Sequence, residues 1–132
     1  MARITLVRPA YSAQIYGQIY EQKRDTLREV RPPLGLMAIS GYLKHFGHDV
    51  VIIDGEPDLL DIKETVDRTL KSQPDIVGVT STTPEYPFAY TILRELKTLA
   101  PTVVTVFGGA HITNLPEHTI ADLGSFVDWG VI

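Results

Sequence analysis

Three hydroxyl side chains in a row, Ser81-Thr82-Thr83, follow directly on the apolar run Asp75–Thr80. Each offers a donor and acceptor lone pairs, so together they can line a polar ligand. The same residue types shape turns and helix starts, and Pro84 comes next, so turn chemistry is the competing explanation. A second apolar run, from Thr102 to Phe107, ends in Gly108-Gly109, with His111 two residues on. Paired glycines let backbone approach a ligand closely, or they simply make a tight strand-to-helix turn. His111 either reaches that ligand or is a hydrogen-bonding surface histidine. No nucleophile–base–acid set is legible, because no histidine is spaced to pair with Ser81 and no G-x-S-x-G elbow occurs. His45 and His48 flank Gly47 at a predicted helix end and are read as structural. No residue is assigned a catalytic or metal-ligating role, which leaves a chemically silent binding crevice.

The elements that must hold these residues alternate along the chain. Ile4–Val7 is a first strand, stopped by Pro9. Arg8 to Arg31 has no clean period, carries Tyr11, Tyr16 and Tyr20, and is too long for an ordinary α/β connection. It is read either as a lid that contacts ligand or as a disordered, partner-facing segment. Pro32-Pro33 introduces a helix over Leu34–Phe46, with Leu36, Ile39, Ser40 and Leu43 on one face and Gly47 closing it. Asp49–Asp54 is the second strand; its terminal acid would meet a ribose in a dinucleotide fold, but the first strand lacks the G-x-G-x-x-G turn.

Asp61 and Glu64 form a capping box for a second helix, whose Ile62, Val66 and Leu70 recur at helical spacing. Asp75–Thr80 is the third strand, and a third helix over Phe88–Leu99 presents Phe88, Ile92, Leu96 and Leu99. The Gly-Gly strand follows, then a short helix capped by Asn114 and Glu117 and closed by Gly124, then a last strand over Phe126–Ile132. Five strands and four helices with right-handed crossovers make an α/β, doubly wound parallel sheet of flavodoxin-like, Rossmann-like order 2-1-3-4-5. The crevice then lies between the first and third strands, walled by the loops that begin at Arg8, Ser81 and Gly108.

Composition narrows the class. With 132 residues, 44% hydrophobic and 21% charged, the chain fits one globular domain rather than a disordered segment. A net charge of −4 without a basic stripe speaks against nucleic acid as partner. The absence of cysteine excludes a disulfide framework, a zinc site or an iron–sulfur cluster built within this chain. The N-terminus reads as a strand rather than a signal peptide, and no apolar run approaches the roughly 20 residues of a membrane span. A cytoplasmic protein is the expectation.

Pro-Pro-Leu-Gly-Leu at 32–36, Gly-His-Asp-Val at 47–50, Pro-Asp-Ile-Val-Gly-Val-Thr at 74–80 and Phe-Gly-Gly-Ala-His-Ile-Thr with Leu-Pro-Glu at 107–117 occur in this order. Together they resemble the N-terminal cobalamin-binding domain of radical S-adenosylmethionine enzymes, the class of anaerobic magnesium-protoporphyrin ester cyclases and radical methyltransferases. The resemblance covers nearly the whole chain. It implies cobalamin as cofactor, gripped by the sheet's carboxyl edge, with the nucleotide tail beside the serine loop and the Gly-Gly turn. By position it points to Ser81, Thr82, Thr83, Gly108, Gly109 and His111. The long first loop is separately expected to cover the lower face of the corrin, through Tyr11, Tyr16 or backbone around Pro9. The D-x-H-x-x-G cobalt-ligating motif of methionine-synthase-type domains is absent, so the implied site holds cobalt without histidine. Residues 1–132 then look like one domain of a longer enzyme, whose C-x-x-x-C-x-x-C cluster domain would follow residue 132. The iron–sulfur cluster, S-adenosylmethionine and any methyl transfer or radical chemistry belong to that absent partner domain. The alternatives are a degenerate scaffold or substrate-binding domain that has lost cobalamin, and a free-standing flavin- or nucleotide-binding protein.

Overall fold

The computed structural model describes residues 1–13 and 30–132. Most of the long Arg8–Arg31 connection, including Tyr16 and Tyr20, lies outside the described residues. The strands are β1 (Arg3–Arg8), β2 (Asp49–Asp54), β3 (Ile76–Thr80), β4 (Val104–Gly108) and β5 (Trp129–Gly130). They form a parallel sheet in the order β2-β1-β3-β4-β5. The helices are α1 (Leu34–His45), α2 (Gly55–Asp58), α3 (Ile62–Lys71), α4 (Tyr86–Leu99), α5 (Ala110–Asn114) and α6 (Pro116–Leu123). Among the described residues, no helix is long and apolar enough to cross a membrane.

Period-two alternation divides the apolar residues between two cores. Val7, Ile53, Val77, Val79 and Phe107 face α3, α4 and α6, where they pack with Val66, Ile92, Leu93, Leu96 and Leu123. Ile4, Leu6 and Val50 face the other way, toward Leu36 of α1. That second face is covered unevenly: Ile76, Gly78, Val104 and Val106 point into it and remain partly exposed.

Local chemistry explains most element ends. The Asp61–Glu64 capping box forms as expected: the Asp61 carboxylate accepts from Glu64 N at 2.7 Å, and Glu64 accepts from Asp61 N at 3.2 Å. Four expectations shift. The buried stripe of α4 is Ala89, Ile92, Leu93 and Leu96, while Phe88 is only partly buried and Leu99, the last residue of the helix, is exposed. On α1, Leu36 and Ser40 are buried but Ile39 is exposed, since α1 covers only part of its sheet face. Asn114 ends α5 instead of capping the next helix. Leu115, at φ −135° and ψ 56° just before Pro116, separates α5 from α6. The last strand shrinks to two residues after a 3₁₀ turn over Gly124–Phe126. There the Asp128 carboxylate takes Thr105 N at 2.8 Å, a donor that a longer strand would have used, while also holding Lys97 Nζ at 2.7 Å.

Candidate functional site

The carboxyl ends of β1, β3 and β4 bring the three predicted loops together at one edge of the sheet. Register puts Gly78 between Leu6 and Val106, and Thr80 beside Gly108. An apolar groove of about 390 Å³ opens over this floor, with Ile39 and Leu43 of α1 on one side and Val131 on the other. A more polar depression of about 370 Å³ adjoins it, lined by Arg8, Ser81, Thr82, Glu85 and Gly109.

The three hydroxyls have separate fates. Thr82 is spent on the turn: its N and its Oγ1 both donate to Glu85 Oε2, at 2.7 and 2.9 Å. Thr83 Oγ1 lies 3.2 Å from His111 Nδ1. Ser81 is 2% exposed, and its Oγ has no hydrogen-bond partner among the described residues, although its main chain is fixed by Gly108 O and His111 N. A buried hydroxyl left without a partner is costly in a folded protein, and this one lies beside the polar depression that adjoins the groove.

The two glycines also separate. Gly109 has φ +102°, and a Cβ there would stand 2.6 Å from Thr80 Oγ1 and 2.7 Å from Ser81 O. The turn itself therefore demands glycine at 109. Gly108 has no such need, since its Cβ would meet only Val131, at 3.8 Å or more. The turn thus does not require glycine at 108.

His111 faces inward. It is 5% exposed, its ring stacks on Tyr86 with centroids 4.0 Å apart, and its buried Nε2 has no partner among the described residues. Burial lowers its pKa below the ordinary histidine value, with the charge of His118 acting the same way and Asp122 opposing. The neutral ring joins the serine loop to α5. Tyr86 in turn donates to Asp122 at 2.6 Å, and burial followed by that bond pushes its phenol well up.

Of the predicted residues in the first loop, Pro9 is buried, and Tyr11 lines a polar recess of about 360 Å³ with Ser12, Arg31, Glu56 and Pro84, its ring 6.2 Å from Phe88. His48 Nδ1 accepts from Ala2 N at 3.1 Å, at the opposite edge of the sheet. Among the described residues, no cluster of histidine, aspartate and glutamate is arranged to hold a metal.

Sequence reasoning missed the pair at the ends of β1 and β2. Arg8 donates to Asp54 through Nε at 2.7 Å and Nη2 at 2.8 Å, and its Nη2 also reaches Arg31 O. Asp54 further accepts from Glu56 N, so its carboxylate is taken up within the chain. The signal was present: base and acid close two strands that lie in register. Gly78, alone inside an otherwise β-branched strand, was the other signal passed over.

Three comparisons bear on this geometry. An uncharacterized methyltransferase of Pyrococcus horikoshii is 38% identical over 91 residues, 69% of this chain and 20% of that protein. An anaerobic magnesium-protoporphyrin IX monomethyl ester cyclase of Synechocystis is 33% identical over 88 residues, 65% of this chain and 18% of that protein. The chain thus spans about a fifth of the length of these curated relatives. Among solved structures, a cobalamin-binding protein of Desulfitobacterium hafniense superposes with TM-score 0.60 at 17% identity, covering 98% of this chain and 52% of that one. A response regulator receiver domain protein of Clostridium thermocellum has TM-score 0.60 at 15% identity, covering 99% and 81%. Identities this low speak to the fold alone. The receiver-domain chemistry is not carried here, since Arg8-Pro9 and Thr80-Ser81 stand where an acidic pair and a phosphoacceptor aspartate would be needed. The family model of the B12 binding domain matches residues 24–132, and with that match over most of its length this chain belongs to the B12 binding domain family.

Proposed function

We propose that this domain binds cobalamin, with the corrin over the carboxyl edge of the sheet and the nucleotide tail in the groove between α1 and strands β3 and β4. The observation that carries the reading is the Ser81 hydroxyl, buried and unpartnered among the described residues beside the polar depression that adjoins the apolar groove. A long, largely apolar tail with a few polar atoms suits that combination. When bound, the cobalt centre would supply methyl-transfer or radical chemistry to a catalytic partner domain of the radical S-adenosylmethionine type, which would also hold the iron–sulfur cluster. The residues of this chain bind and orient: Gly108 admits the ligand, Ser81 offers a hydrogen bond, and Tyr11 with backbone near Pro9 covers the lower face.

The cobalt is held without a histidine ligand in this reading. The connection from Arg8 to Arg31 contains no histidine. His111 is packed under Tyr86 with Nδ1 engaged by Thr83, which supports a positioning role for it rather than contact with the cofactor. The test is titration of the purified protein with hydroxocobalamin, followed by electron paramagnetic resonance of the cobalt(II) form. Expected are shifted visible bands and cobalt lines without threefold nitrogen splitting. No spectral shift would overturn the cobalamin reading in favour of a degenerate scaffold. Splitting that vanishes in His111→Ala would refute the histidine-free site, and splitting that survives every histidine substitution would show the tail base still on cobalt and outside the groove.

A further inference from the structure

Gly78 sits in the middle of β3, paired through register with Leu6 on one side and Val106 on the other. Strand interiors disfavour glycine, which loses more entropy on ordering and contributes no side chain to packing. The backbone does not explain its presence, since Gly78 is outside the positive-φ glycines. Nor does crowding explain it: a Cβ at 78 would meet one atom within 4 Å, Leu6 Cδ2 at 2.9 Å, the movable end of a side chain. Its strand neighbours Val77 and Val79 face the tightly packed opposite core, whereas position 78 faces the groove floor. Leu6 Cδ2 lies against the bare backbone of Gly78, so any side chain there would have to displace it on the groove floor.

We infer that Gly78 is a specificity-determining residue: with Leu6, it sets the depth of the groove, leaving room for a flat bicyclic base to lie against the sheet. The inference rests on the cobalamin reading above and extends it to the tail's recognition. Gly78→Ala should lift Leu6 by a few tenths of an ångström, and Gly78→Val should fill the floor outright.

The experiment titrates wild type, Gly78→Ala and Gly78→Val with cobalamin and with cobinamide, which carries no nucleotide tail, and records the melting of each unliganded protein. Cobalamin affinity should fall in the order wild type, Ala, Val, by about tenfold or more for Val, while cobinamide titrates alike in all three. Melting temperatures should hold or rise, because a β-branched residue suits a strand better than glycine. Adding Leu6→Val to Gly78→Ala withdraws the crowded methyl and should restore cobalamin affinity, which keeps the test available if Gly78→Val folds poorly. Unchanged cobalamin affinity in folded Gly78→Val would overturn the inference, as would equal loss of both ligands or failure of the Leu6→Val rescue. Absence of cobalamin binding in the wild type is a separate result that overturns the cobalamin reading itself.

Discussion

Ser81 and His111 are both buried polar residues at the same edge, yet their predicted behaviour is opposite. Ser81 Oγ has no partner among the described residues, so Ser81→Ala removes a desolvated group from the unliganded protein. Its melting temperature should stay level or rise, while cobalamin binding weakens by about 1–3 kcal/mol. An unchanged titration curve would return the serine to pure loop chemistry. His111 is held neutral, its pKa lowered chiefly by burial, so the unfolded chain binds a proton more readily than the folded one. Stability should therefore be full above the ordinary histidine value of 6.5 and decline as pH falls below it. Urea midpoints measured between about pH 5 and pH 7 should show that slope, and His111→Gln should flatten it. A slope that persists in the variant would assign the titration to another group.

At the scale of elements, the turn from β4 into α5 does two jobs with two glycines. Gly109 carries positive φ and lies against the backbone of Ser81, so Gly109→Val should destabilise the fold and weaken binding together. Gly108 is extended, and a Cβ there would meet Val131 only at ordinary contact distance, so Gly108→Val should leave thermal melting near wild type and still block the cofactor. Melting and titration of both variants separate the two roles; a Gly108→Val protein that binds normally would mean that no ligand approaches this backbone. The same turn is tied to the preceding loop through His111 N and Ser81 O, 3.2 Å apart, so β3 and β4 present their ends as one surface.

For the whole molecule, the distribution of core is the governing fact. One face of the sheet is sealed by α3, α4 and α6, and the other is covered chiefly by α1 over β1 and β2, leaving the groove open beside it. A ligand that fills the groove and binds only the folded state raises stability by mass action. Cobalamin at 100 times its dissociation constant should add about 2.7 kcal/mol, read as a rise in the urea midpoint that grows with the logarithm of cobalamin concentration. A midpoint indifferent to cobalamin would count against binding to the native fold.

The strand order and the sheet edge where the three loops meet were legible in the chain. β-branched runs ending in Pro9, Thr80 and Gly108 mark parallel strands, and right-handed crossovers leave few ways to order them. The capping box at Asp61 was equally readable, because it lies within one helical turn. Residues distant in sequence were harder. Hydrophobic period tells which face of an element is apolar, but not which side chains meet across the fold. Thus the Arg8–Asp54 pair, 46 residues apart, and the inward turn of His111 onto Tyr86 and Thr83 emerged only once the strands were in register. The same holds for the division of labour between Gly108 and Gly109, which depends on where the backbone of Ser81 passes. Composition could name the glycines and hydroxyls of the candidate site; packing decided that Gly109 serves the turn, that Thr82 serves Glu85, and that the Ser81 hydroxyl is buried without a partner among the described residues.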